Sequence, residues 1–276
     1  MVRSSFVTAG MAIGCVAGVT MATALPAAAN VLAPHRAVYD LELKDASERS
    51  GISEMYGRMV YEINGSVCKG YTVSFRFVTQ VDTGDGVRMT DQQTTTFEDV
   101  KTGDFRFLTR SFTDDKLDKE VKGTAHDADK CITVAMTEPD AKKLDLAVSR
   151  FPTEHMLEVI EHARKGSRFF ESRLFDGSDS GDKSLFTTTM VGKQEQPSAG
   201  SADDAAKAGD LADDAFWPVT IAYFNDGEEG DGLPIYNMSF KLYDNGVTRD
   251  LTMDYGDFVL HGKLAGLELL KQEECK

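Results

Sequence analysis

The chain has 276 residues, a formal net charge of −15 and 41% hydrophobic residues. This length and composition are those of one or two globular domains, and they exclude a fully disordered chain, a collagen and a polytopic membrane protein. So acidic a balance argues against a nucleic-acid-binding protein, which needs a basic face for its phosphate contacts. It argues equally against electrostatic docking on anionic lipid.

The first 29 residues have the pattern of a secretory signal peptide. Arg3 is the only charged residue among them, and an apolar run over 6–25 leads to the small residues Ala27 and Ala29. A positive start, an apolar middle and small residues before the cleavage point are typical of export signals. We predict a cleaved signal peptide over 1–29. An uncleaved membrane anchor is the alternative, because the apolar run is nearly long enough to span a bilayer.

Three cysteines follow the signal segment: Cys68, Cys131 and Cys275. Export to an oxidising compartment permits a disulfide, and an odd number leaves one thiol over. Cys131 begins an alternating apolar run, in which a small buried thiol packs well. Which two cysteines pair is left open by these patterns.

Alternation of apolar and polar residues dominates the rest of the chain. Tyr39 and Leu41, for example, share one face of a segment whose other face is charged. The same period of two recurs in about 14 segments, separated by turn signals such as Asn64-Gly65. This spacing predicts an all-β fold with an antiparallel sheet, formed by a single domain over 30–276.

One amphipathic helix interrupts the strands over 152–166. Thr153 is a candidate N-cap residue, and Gly166 is placed to end the helix. Its apolar stripe is formed by Met156, Val159, Ile160 and Ala163. A single amphipathic helix in an all-β chain needs a sheet face to cover, so we predict that it plugs or covers a curved sheet.

The segment 193–215 differs from the rest of the chain in composition. It is rich in Ala, Asp, Gly and Ser and poor in large apolar residues. Such a composition buries too little apolar surface to offset the cost of ordering. We therefore predict a long, mobile, acidic surface loop, to which we assign no function.

Recognisable catalytic and metal-binding patterns are missing from the sequence. His155 and His162 are seven residues apart on the predicted helix, about 10.5 Å at the helical rise, which is too far to share one metal ion. The segment 176–187 has part of the spacing of a calcium-binding EF-hand loop, but Thr187 stands where the bidentate Glu is required. We therefore predict a protein that is not an enzyme and that uses no metal or cofactor.

Large aromatic residues on the predicted sheet faces are the candidates for an apolar ligand face. They are Phe75, Phe77, Trp217, Tyr223 and Phe240. Such side chains line cavities for amphiphilic ligands, although they more often form the core.

Four stretches of the chain resemble one family. They are His35-Arg36-Ala37-Val38-Tyr39-Asp40-Leu41, then Gly57-Arg58-Met59-Val60-Tyr61-Glu62-Ile63 running into Cys68-Lys69-Gly70-Tyr71, then Phe151-Pro152-Thr153-Glu154-His155-Met156 through Leu174-Phe175-Asp176-Gly177-Ser178-Asp179, and the terminal Cys275. With these stretches the chain resembles the cell-envelope integrity protein B (EipB) family of alphaproteobacterial periplasmic proteins. The resemblance covers essentially the whole chain after the signal segment.

The resemblance implies a spiral-like, half-open antiparallel sheet of about 14 strands broken by one α-helix, similar in part to the sheets of LolA- and LolB-type lipoprotein carriers. It implies a disulfide between Cys68 and Cys275, closing a loop of about 208 residues, and a free Cys131. It also implies a non-enzymatic periplasmic protein that maintains the cell envelope through contacts with a protein partner, such as a tetratricopeptide-repeat protein. The alternative is a periplasmic carrier of a lipid or another amphiphile on a concave apolar sheet face.

Overall fold

Fourteen antiparallel strands form one open sheet in the computed structural model, which describes residues 32–198, 204–226, 232–273 and 275. The predicted signal peptide lies outside the described residues. The strands are β1 (His35–Ala46), β2 (Glu54–Ser66), β3 (Gly70–Asp82), β4 (Val87–Asp99), β5 (Asp104–Thr113), β6 (Lys116–Asp127), β7 (Ile132–Glu138), β8 (Lys142–Leu146), β9 (Phe169–Leu174), β10 (Leu185–Val191), β11 (Phe216–Asn225), β12 (Tyr236–Tyr243), β13 (Thr248–Asp254) and β14 (Phe258–Leu269). One α-helix, α1 (Pro152–Arg164), connects β8 to β9, and two short 3-10 helices cover Glu48–Ser50 and Ala205–Leu211.

The strand order runs β8-β7-β6-β5-β4-β3-β2-β1-β14-β13-β12-β11-β10-β9. The first strand and the last strand therefore pair at the middle of the sheet, with His35 opposite Leu269. The two edge strands, β8 and β9, are consecutive in the sequence and are joined by α1. The predicted all-β fold, an open antiparallel sheet of about 14 strands interrupted by one helix, is confirmed.

The alternating pattern places the apolar residues of each strand on the inner face of the sheet. A large core cluster joins the inner residues of β1 and β2 with those of β9–β14 and with one side of α1. A second cluster contains Phe105, Phe107, Val121, Ile132, Val134, Met136, Phe151 and Phe175. The helix and the β9–β10 connection thus occupy much of the inner face, as a lone amphipathic helix requires.

The helix α1 begins one residue earlier than its predicted cap. Phe151 is the N-cap residue and makes no side-chain capping bond, Pro152 is the first helical residue, and Thr153 lies within the first turn. Proline suits this position because its fixed φ matches the helix and its missing N–H is not needed there. Gly166 follows the last turn with a φ of +73°, a conformation that glycine adopts without steric cost. The prediction of Thr153 as the N-cap was therefore wrong, whereas the end of the helix matches its signal.

The described part of the segment 193–215 packs against the sheet. Within its described part, the 3-10 helix Ala205–Leu211 lies against β14 and buries Ala208 and Leu211. Glu195 and Phe216 form an antiparallel bridge that holds the base of the segment. One buried alanine and one buried leucine are too few to give a visible periodic signal, so this 3-10 helix was not predicted from the sequence. In the described part of the chain, no helix has the length and apolar content needed to cross a membrane.

Candidate functional site

The five aromatic residues of the predicted ligand face all lie on the inner side of the sheet, but they are not equally accessible. Trp217, Tyr223 and Phe240 are buried in the large core cluster. Phe75 and Phe77 are only partly buried, and their rings stack at a centroid distance of 6.1 Å. Three of the five therefore pack as core residues, and the accessible part of this face is the pair on β3.

The surroundings of this pair are partly polar. Gln92 lies opposite Phe77 in the β3–β4 ladder and is exposed. Further along the same face, the hydroxyls of Thr79 and Thr90 are hydrogen bonded at 2.7 Å. The middle of β3 and β4 is thus a region of the inner face that α1 leaves partly uncovered. A mixed surface of stacked rings and amide or hydroxyl groups is suited to an amphiphilic ligand.

The amino end of α1 is capped by a residue from a distant strand. Glu98 of β4 is buried, and its carboxylate accepts hydrogen bonds from the N–H groups of Thr153 at 2.7 Å and Glu154 at 2.8 Å. These N–H groups have no partner within the helix, and the helix dipole favours a negative charge there. Burial nevertheless dominates, since it raises the pKa of Glu98 to about 7 against the lowering effect of both bonds.

The two histidines of α1 are packing residues. His155 is buried and lies 3.4 Å from the Thr187 hydroxyl of β10, and burial lowers its pKa to about 4. The His162 ring stacks on Phe170 of β9 with centroids 4.0 Å apart. Each histidine thus fixes the helix on the β9–β10 pair. Within the described residues, no group of three or more His, Cys, Asp or Glu side chains is arranged to hold a metal ion.

The β9–β10 connection carries the Asp-Gly-Ser motif and fills the second core cluster. Gly177 has a φ of +69°, and a Cβ atom on it would lie 2.4 Å from Cγ of Phe107. The glycine is required because the loop passes directly over the ring. Asp176 is half-buried, and its carboxylate accepts a hydrogen bond from the Ser178 N–H. Burial raises the pKa of this carboxyl group. The motif therefore serves the packing of the loop on β5–β7.

Asp204, at the start of the 3-10 helix, anchors the described part of 193–215 to the sheet. Its carboxylate accepts hydrogen bonds from the Asp250 N–H at 3.1 Å and from the Leu264 N–H. It also pairs at 3.3 Å with Arg249, whose side chain is fully buried and whose guanidinium lies over the Phe216 ring. A buried ion pair of this kind is costly to break, because the remaining charge is left without compensation.

The disulfide joins Cys68, in the β2–β3 turn, to Cys275 in the tail after β14, as the family resemblance implied. The Cα atoms of the two residues are 5.6 Å apart and 207 positions apart in sequence. Lys69 pairs with Glu273 beside the bond at 2.8 Å. Cys131 is free and half-buried in the β6–β7 turn. The bond fastens the carboxyl-terminal tail across the ends of β1 and β2.

A shallow cleft of about 500 Å³ lies on the outer face of β4–β8. Its floor contains Thr124 and Ala135, and Arg106 stands over the Phe97 ring at 4.6 Å on one side. Asp104 at its end is hydrogen bonded to His126 at 2.9 Å. Sequence reasoning missed this cleft, because its residues come from five strands and share no local motif.

Glu98, Asp204 and Arg249 were also missed. Each is a charged residue with no unusual neighbours in sequence. Glu98 lies 55 positions from Thr153, and Asp204 lies 45 positions from Arg249. An ordinary surface charge gives the same local pattern. The only signal available was the presence of Arg249 among the alternating residues of a strand, at a position where the pattern calls for an inward side chain.

Comparison with known proteins agrees with this architecture. A profile of EipB-like proteins matches residues 26–271 of the chain. The cell envelope integrity protein EipB of Brucella abortus (strain 2308) is 52% identical over 239 residues, which cover 86% of this chain and 84% of that protein. The chain belongs to the EipB-like family.

The fold of this EipB-like protein also matches a solved structure. A crystal structure of a beta-barrel-like protein of a domain of unknown function (DUF1849) from Brucella abortus superposes with a TM-score of 0.82 at 50% sequence identity. The match covers 87% of this chain and 99% of that chain. The family resemblance inferred from the four sequence stretches is thereby confirmed.

Proposed function

We propose that this EipB-like protein supports the integrity of the cell envelope as a non-enzymatic protein of the periplasm, and that it acts by binding a protein partner. The observation that carries the proposal is the 52% identity, over most of both chains, to a protein named for cell envelope integrity. The Cys68–Cys275 disulfide supports a location outside the cytosol, where such bonds persist. The export pattern of the first 29 residues supports the same location.

The packing of the inner face supports binding through the outside of the molecule. The helix α1 and the β9–β10 connection fill much of the inner face with the protein's own residues. Exposed groups on the outer face and at the edges of the sheet are then the ones left to contact a partner. A tetratricopeptide-repeat protein fits this role, because such repeats present extended concave binding surfaces.

Deletion and complementation test the proposal. We expect deletion to make the native bacterium sensitive to detergents that challenge the envelope, and we expect the wild-type protein to restore resistance. Comparing the full chain with a variant that lacks residues 1–29 tests the location, since only the exported form should restore resistance. Normal detergent resistance after deletion would contradict the proposal.

A second candidate function is carriage of a lipid or another amphiphile. The partly buried Phe75–Phe77 pair, beside the exposed Gln92, favours it. Native mass spectrometry of gently purified protein tests this function, with a Phe75→Ser, Phe77→Ser variant for comparison. A bound amphiphile that is present on the wild-type protein and absent from the variant would support it. A wild-type protein without bound mass would exclude it.

A further inference from the structure

The two edges of the open sheet differ in their protection. Edge strands expose unpaired N–H and C=O groups, and proteins commonly guard them with short strands and lysines. β8 has only five residues, including Lys142 and Lys143, and Lys142 is bound to Asp182 of the β9–β10 connection. β9 has the sequence FFESRL, without lysine or proline. β9 is also short, at six residues, but it has no lysine, and its one basic residue, Arg173, is paired with Asp226. The edge at β9 is therefore less protected than the edge at β8.

The register shows which groups of β9 face its free edge. The Val191 N–H donates to the Arg168 C=O at 3.0 Å. In an antiparallel pair such bonds recur at every second residue, so the main-chain groups of Phe170 and Ser172 also face β10. The N–H and C=O groups of Phe169 and Glu171 consequently point away from β10. The carboxyl-terminal end of the β9 edge is already hydrogen bonded within the molecule, because the Arg150 N–H donates to the Arg173 C=O at 2.7 Å. Within the described residues, Phe169 and Glu171 have no strand partner on that side.

Exposed apolar side chains surround the same edge. Phe169 and Met190 are direct cross-strand neighbours on the outer face, and they are 57% and 61% exposed. Val148, just before the segment that bridges to β9, is 49% exposed. Large apolar side chains gathered at an unpaired edge are typical of a surface that a partner covers.

We propose that the free edge of β9 binds an extended segment of a partner protein, which adds to the sheet as a further strand. The inference rests on the proposed function, for which it names the binding surface. Main-chain hydrogen bonds to Phe169 and Glu171 hold the segment, and alternate side chains give specificity. An apolar side chain of the segment packs beside Phe169 and Met190. A basic side chain faces the exposed Glu171.

A basic and apolar partner fits this edge better than a second copy of the chain. Antiparallel pairing of two β9 edges would bring the Glu171 residues of two acidic molecules together, and each chain carries a net charge of −15. Like charges on paired strands destabilise the pairing. Measuring the molar mass in solution by light scattering tests this directly. A dimer that Glu171→Pro dissociates would overturn the choice of partner.

A designed peptide in which valine and lysine alternate along one face of the strand, with threonine at every position between them, is the probe for strand addition and is called the alternating peptide. A block peptide of the same composition, with all valines before all lysines, controls for charge attraction. We expect the alternating peptide to slow hydrogen exchange at the Phe169 and Glu171 amides, and the block peptide to leave both unchanged. Equal exchange with and without the alternating peptide would overturn the proposal.

Glu171→Pro removes one edge donor without affecting the β9–β10 bonds, because that N–H points away from β10. We expect it to weaken binding of the alternating peptide by about tenfold or more, since it removes a hydrogen bond and blocks close approach of a strand. Glu171→Gln keeps the donor and should weaken binding by only about threefold. Leu117→Ser, at an equally exposed apolar position on β6, should have no effect.

A double variant keeps the test valid if Glu171→Pro fails to fold. Phe169→Ser with Met190→Ser leaves the backbone unchanged, and we expect about tenfold weaker binding from the lost apolar contact. Unchanged peptide affinity in both β9 variants would overturn the proposal. In cells, a bacterium whose envelope fails on deletion but is fully restored by Glu171→Pro would refute the β9 surface alone. A bacterium that tolerates deletion would refute the proposed function itself.

Discussion

Replacement of Glu98 by Gln tests how the protonation state of this buried side chain, which links β4 to the amino end of α1, affects the stability of the fold. The folded protein holds the pKa of Glu98 at about 7, against 4.5 for the unconstrained group. A pKa raised on folding gives stability that is fully present below the unfolded value and is lost as pH rises through the folded value. Glutamine has nearly the same shape and stays neutral at every pH. The wild-type protein and Glu98→Gln should therefore differ in their pH dependence.

The expected size of this difference follows from the shift in pKa. Each pKa unit corresponds to about 1.4 kcal/mol, so the wild-type free energy of unfolding should fall by about 2–3 kcal/mol relative to the variant between pH 5 and pH 8. Urea unfolding of both proteins at several pH values measures this, and taking the difference cancels the titration of all other groups. A difference that is constant over this range would refute the reasoning. So would a wild-type protein that gains stability relative to the variant as pH rises.

Three further substitutions test other contacts. Cys275→Ser opens a loop of about 208 residues and should lower the melting temperature by about 10 °C or more, which calorimetry under non-reducing conditions would detect. Gly177→Ala places a methyl group against Phe107 at a positive φ and should cost about 2 kcal/mol or more in urea unfolding, with Gly166→Ala as the uncrowded control. Asp204→Ala leaves the charge of Arg249 buried and should cost about 3 kcal/mol in urea unfolding, with faster proteolysis within Ala205–Leu211. Wild-type stability in any of the three would contradict the contact described for it.

Local patterns were sufficient to predict the strands and the helix. Alternation such as that of Tyr39 and Leu41 reports directly on a strand with one buried face, and Asn64-Gly65 marks the approach to a turn. The helix α1 was predicted from its apolar stripe, and Gly166 follows its last turn as expected. These features depend on residues within a few positions of one another, so the sequence displays them.

Contacts between distant residues were not predictable in the same way. A pattern shows that Trp217 and Phe75 face the same side of a sheet, but what covers each of them depends on where α1 packs. Glu98 caps a helix 55 positions away, and Asp204 binds an arginine 45 positions away. The Cys68–Cys275 pairing likewise became specific only through the family resemblance, because the cysteines alone left three pairings open.

The pairing of β1 with β14 has a consequence for the order in which the molecule assembles. β1 is synthesised first but pairs with β14, which is synthesised last. The middle of the sheet therefore forms only when nearly all of the described strands have been synthesised. Pairings of such long sequence separation form slowly, since a large loop must close before any contact stabilises it. During that interval Cys68 is without its native partner, and the thiol of Cys131 has already been synthesised. Formation of the native disulfide therefore requires that β14 pairs with β1, and brings Cys275 close to Cys68, before Cys68 and Cys131 form a disulfide with each other.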